Sequence, residues 1–138
     1  MSSRSIHFRI EELVSKELYD LVETDKLWDL FDERLLDTID AVKEKFPEGS
    51  MTINNWLWGG DRDQSGLRTK NSKYYSPTSQ HSIGKAIDCI FSKYRTDSVR
   101  QYIINNPDEF PYIKGIELDV SWCHFDVRSR DEVLLFHK

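Results

Sequence analysis

The chain has 138 residues, one domain at about 150 residues per domain, and is long enough to bury a core. Nineteen Lys and Arg against twenty-four Asp and Glu leave a formal charge of −5 with no basic block, so neither nucleic acid nor an anionic membrane is an expected partner. Apolar residues at 38% and aromatics at 12% exclude disorder over most of the length, and no apolar run approaches the ~20 residues of a membrane span.

The opening residues, Met1-Ser2-Ser3-Arg4-Ser5-Ile6-His7, lack the apolar stretch of a secretory signal, which predicts synthesis in the cytoplasm. A short helix is predicted from Ser15 to Glu23, with Leu18, Leu21 and Val22 apolar. A longer helix follows, because Leu27, Leu30, Phe31, Leu35, Ile39, Val42 and Phe46 step by three or four into one stripe. Asp25 is its expected N-cap and Pro47-Glu48-Gly49 its stop. Met51 to Leu57 reads as a strand, and Gly59 to Gly66 as a surface loop rich in turn residues. The polar stretch from Lys70 to Gln80 leads into Ala86-Ile87-Asp88-Cys89-Ile90-Phe91, a predicted central strand. Thr96 is placed to cap a helix carrying Val99, Tyr102, Ile103 and Ile104 that ends at Asn106-Pro107. Tyr112 to Leu118 and Trp122 to Val127 read as a hairpin around Asp119-Val120, and Val133 to Phe136 adds a last strand. The expected fold is α+β: a single domain, 1–138, with N-terminal helices on a central antiparallel sheet. A monomer is the expected state.

The chemistry lies in His81, Asp88 and His124. Two imidazoles and one carboxylate make a three-ligand zinc site whose fourth position is free for water, as a catalytic zinc requires. His81 approaches from a loop, Gly84 permits a tight turn, and Asp88 and His124 project from neighbouring strands. Strand alternation turns Cys89 and Cys123, next to Asp88 and His124, to the opposite face, as buried free thiols rather than ligands. A water on such a metal needs a base. With Asp119-Val120 as a two-residue turn, Glu117 lies opposite Trp122 on the face of His124; one residue more in the turn would make Asp119 the substitute.

The segment Ser79-Gln80-His81-Ser82-Ile83-Gly84-Lys85-Ala86-Ile87-Asp88 resembles the S-x-H-x-x-G-x-A-x-D signature of the zinc D-alanyl-D-alanine carboxypeptidases. Trp122-Cys123-His124-Phe125-Asp126-Val127 resembles their W-x-H-x-D segment. That family also holds phage and bacterial L-alanyl-D-glutamate endopeptidases and is structurally related to the hedgehog signalling domain. The similarity runs from Phe8-Arg9-Ile10-Glu11-Glu12-Leu13 through Ser65-Gly66-Leu67-Arg68 to Arg128. It implies zinc held by His81, Asp88 and His124, and an arginine, Arg68, that binds substrate or steadies the oxyanion. Several members carry the catalytic carboxylate three residues before the last histidine, where this chain has Ser121. Asp126 is read either as a residue that orients a ligand or as an exposed strand carboxylate. The implied activity is hydrolysis of an amide in the peptide stem of peptidoglycan by a lysin-like enzyme acting at the cell wall. One alternative is a non-catalytic, zinc-containing binding module of hedgehog type. Another is a non-haem iron site using His124, Asp126 and a second histidine.

Overall fold

Alternation along Ala86-Ile87-Asp88-Cys89-Ile90-Phe91 sorts one segment onto two faces, and in the computed structural model, which describes residues 4–137, the sheet is built around it. Residues 1–3, part of the opening read above for a signal, lie outside the described residues. The strands are β1 (Met51–Thr52), β2 (Ala86–Phe91), β3 (Gly115–Glu117), β4 (Cys123–Asp126) and β5 (Leu134–Phe136), in the order β1-β2-β4-β3-β5. All pairs are antiparallel except β3 with β5, which is parallel, so the sheet is mixed rather than wholly antiparallel. The reason is topological. Both edges of β4 are occupied by β2 and β3, so the chain reverses after β4, steps over β3 and arrives on its far edge running the same way.

Among the described residues four α-helices accompany the sheet: α1 (Lys16–Leu21), α2 (Thr24–Trp28), α3 (Glu33–Lys45) and α4 (Thr96–Asn105). Ser15 caps α1 by accepting from the Leu18 amide. The single helix expected from Asp25 to Phe46 is two, α2 and α3. Asp32 breaks it: its carboxylate accepts from the Arg34 amide as the N-cap of α3, and its own N–H donates to the Gly84 carbonyl. Asp25 lies inside the first turn of α2 and is not its cap. Leu27, Leu35, Ile39 and Val42 of the stripe are nonetheless fully buried, whereas Leu30, at the break, is exposed. Thr96 is the first residue of α4 rather than its cap.

The strand expected over Met51 to Leu57 is only β1, followed by a 3-10 turn at Trp56–Trp58. Asn54 takes the chain off the ladder: its N–H and side-chain amide donate to Glu12 and Val14 carbonyls, and its side-chain oxygen accepts from Ser65. Ile87, Cys89, Cys123 and Phe125 form the apolar face of the sheet and join the helices' Leu35, Ile39, Val99 and Ile103 in one core. Each such fully buried side chain contributes about 1.5–3 kcal/mol. The other face carries the polar residues Asp88, Glu117, His124 and Asp126, all buried. Among the described residues no helix is long and apolar enough to cross a membrane.

Candidate metal centre

His81 is fixed before any ligand is considered. Its N–H donates to the Ser79 hydroxyl at the start of a 3-10 turn, Gln80–Ile83, and its carbonyl accepts from Arg68. Gly84 ends that turn at φ +70°, and a Cβ there would stand 2.0 Å from the Leu30 carbonyl oxygen, so glycine is required twice over. Asp88 and His124 are direct partners across β2 and β4, which places both side chains on one face. Cys89 and Cys123 are the next pair and face the core, as alternation predicts.

The three side chains meet. His81 Nε2 lies 3.3 Å from His124 Nδ1 and 3.3 Å from Asp88 Oδ1, and His124 Nδ1 lies 2.9 Å from the same Asp88 oxygen. An ion held tetrahedrally at 2.0–2.1 Å spaces its ligands by roughly 3.3 Å, so the triangle has the dimensions of one face of such a site. The remaining ring nitrogens fix the tautomers. His81 Nδ1 is 2.9 Å from the Gly66 carbonyl oxygen, and His124 Nε2 is 2.9 Å from Asp126 Oδ2. Both neighbours only accept, so each of those nitrogens carries the proton, and the lone pairs of His81 Nε2 and His124 Nδ1 turn toward Asp88. Three converging lone pairs demand a cation or a proton among them. Among the described residues these three form the metal-capable cluster, leaving any fourth position to solvent or substrate.

Electrostatics agree with that demand. Burial works against charge on His124, but its hydrogen bonds to Asp126 and Asp88 outweigh this and push its pKa up to about 9. Burial likewise opposes the Asp88 carboxylate, yet the bonds and charges of both histidines hold it well below the usual carboxylate range. Asp126 is held down to about 2 against its burial by Arg128 and His124. In the metal-free protein a proton on His124 therefore occupies the place of the ion.

Arg68, expected to bind substrate or steady the oxyanion, lies beside Asp88: Nη2 donates to Asp88 Oδ2 at 3.1 Å and Nε to the Gln64 carbonyl at 2.8 Å. With Oδ2 so engaged, Asp88 presents Oδ1 alone to the histidines. Tyr74 stacks 5.7 Å from the guanidinium carbon. Asp126 is wholly buried and orients His124, so it is neither an exposed strand carboxylate nor a third donor of an iron triad. Arg128, which the sequence reading left without a role, grips Asp126 with two bonds of 2.7 Å. Gly115 faces the same carboxylate, and a Cβ there would come within 2.3 Å of it.

The hairpin differs from expectation in its turn. Gly115 pairs with Asp126 and Ile116 with Phe125, a register that sets Glu117 opposite His124 rather than Trp122, with Leu118 to Trp122 connecting the two strands. A register shift of two residues preserves face parity, so Glu117 still shares the His124 face. The Trp122 indole N–H donates to Glu117 Oε1 at 3.1 Å, and Arg100 of α4 clamps the loop through the Val120 and Trp122 carbonyl oxygens at 2.7 and 2.6 Å. Asp119 sits in the left-handed region at φ 59°, exposed and paired with His137, away from the cluster. Only pairing could reveal the parts played by Trp122, Arg100 and Gly115, whereas Arg128 stands two residues after Asp126, a spacing that puts both side chains on one side of the strand.

The fold and the site define an α+β domain with a four-helix, five-strand architecture and a buried His/Asp/His cluster able to hold a metal ion. No family model matches the chain, and neither the curated proteins nor the solved structures contain a significant match.

Proposed function

We propose that the protein is a zinc-dependent hydrolase that cleaves an amide bond in the peptide stem of bacterial peptidoglycan, as a D-Ala-D-Ala carboxypeptidase or an L-Ala-D-Glu endopeptidase of lysin type acting at the cell wall. The observation that carries the reading is the triangle of His81, Asp88 and His124, whose donor types and 2.9–3.3 Å spacing fit zinc. The resemblance of the flanking segments to the zinc carboxypeptidases supplies the substrate class. Zinc bound there supplies Lewis-acid polarisation of the scissile carbonyl and lowers the pKa of water to about 7. Glu117, buried on the His124 face and steadied by Trp122, takes the proton of the attacking water and passes it to the leaving amine. Arg68 holds Asp88 in place and bears positive charge beside the developing oxyanion.

Zinc-loaded protein incubated with murein and stem peptides should release new amine or free D-alanine. Glu117→Gln should keep its zinc and lose about 10²–10⁴ of the rate. Wild-type protein that holds zinc but releases nothing sinks the hydrolase reading and favours the second one, a zinc-containing binding module, which Ser121 at the family's usual carboxylate position supports.

A further inference from the structure

We propose that a cavity apart from the metal cluster, lined by Arg34, Tyr112, Lys114, Arg128, Ser129 and Arg130, is an oxyanion site for a phosphoryl group. The chain carries five more acids than bases, yet this cavity of about 350 Å³ has four cationic side chains in its wall and one acid, Asp131. Two of the four cations are already neutralised, Arg34 by Asp32 at 2.8 Å and Arg128 by Asp126 at 2.7 Å. The other two have no ion-pair partner among the described residues. Lys114 Nζ donates to the Asp131 backbone oxygen at 3.0 Å and Arg130 Nε to the Glu132 backbone oxygen at 2.9 Å.

Those carbonyl bonds hold both cations against one loop without cancelling their charge. Each leaves donors unspent, since an ammonium has three and a guanidinium five. Tyr112 and Ser129, whose hydroxyls are neutral donors, line the same wall. Two cations without an acidic side-chain partner among the described residues, together with two hydroxyls, exceed what the two oxygens of a carboxylate can use, and they suit the tetrahedral oxygens of a phosphoryl group, with an arginine fork beside a lysine point charge. The volume also exceeds that of a bare ion, leaving room for a substituent on phosphorus. The inference does not depend on the hydrolase reading, because neither Lys114 nor Arg130 touches the metal cluster.

The test is a nuclear magnetic resonance titration of the full chain, with inorganic phosphate and dimethyl phosphate as probes and acetate as control. Saturable shifts at residues 112–114 and 128–131 are expected with at least one phosphoryl probe, weakening as salt screens the site. Binding of phosphate alone identifies the free ion or a monoester; binding of dimethyl phosphate as well identifies a diester, as in a polymer. Lys114→Gln and Arg130→Gln should each weaken binding about tenfold, as expected for loss of one charge-assisted hydrogen bond. Both substitutions are peripheral to the core, and an unchanged melting temperature and zinc affinity verify that the variants fold. Absence of saturation by either probe below about 20 mM, acetate binding as tight as phosphate, or unchanged affinity in the folded variants overturns the proposal.

Discussion

Metal binding at this cluster should expel a proton, and the size of the effect follows from His124. With its pKa up to about 9, all but about one molecule in a hundred carries the His124 proton at pH 7 in the metal-free state. That proton sits on Nδ1, the nitrogen that faces Asp88 and His81 and must give up its lone pair to the ion. The two-unit gap between pH 7 and about 9, at about 1.4 kcal/mol per unit, sets about 2.7 kcal/mol against binding. Zinc affinity should accordingly rise about tenfold per pH unit from neutrality, gain about fiftyfold by pH 9 and level off above it. Calorimetric titration in buffers of different ionisation enthalpy counts the protons directly, and at least about one should leave per ion at neutral pH. In Asp126→Asn, which removes the carboxylate from Nε2, the steep range should move to lower pH. Release of less than about half a proton, or an affinity flat between about pH 6.5 and 8.5, would refute the reasoning.

Other outcomes follow from the same geometry. His124 has a folded-state pKa above its ordinary 6.5, so its contribution to metal-free stability is complete below pH 6.5 and is lost as pH climbs through about 9; up to about 3 kcal/mol should disappear, read as a falling melting temperature that bound metal flattens. Asp88 and Asp126 have the opposite sign: held low, they stabilise above the ordinary 3.8 and lose that stabilisation on acidification, visible as an acid transition in circular dichroism. Gly115→Ala should displace the Asp126 carboxylate and weaken metal binding about 10–100-fold in chelator competition, and an unchanged affinity would remove Asp126 from its orienting role. Cys89 and Cys123 are buried in the core, which denies a reagent access to either sulfur, so neither should react with a thiol reagent until the protein unfolds.

Much of this was legible in the sequence because it is governed by local periodicity. Alternation in Ala86 to Phe91 and Trp122 to Val127 determined that Asp88 and His124 share a face and that both thiols share the other. The stripe from Leu27 to Val42 marked Leu27, Phe31, Leu35, Ile39 and Val42 for burial, but it could register neither the break nor the exposure of Leu30 there, because a 3.6-residue repeat continues across a short non-helical link. Tertiary structure decided where the helix breaks, through the bond from Asp32 to Gly84, a residue 52 positions along the chain. It decided that β5 runs parallel, since both edges of β4 were taken. It also decided what each donor touches: Gly66 and Asp126 set the histidine tautomers, and Arg68 turns to Asp88. Short-range pattern determines which way a side chain points, but only packing of distant segments determines what it meets there, and that meeting makes three separated residues a candidate metal centre.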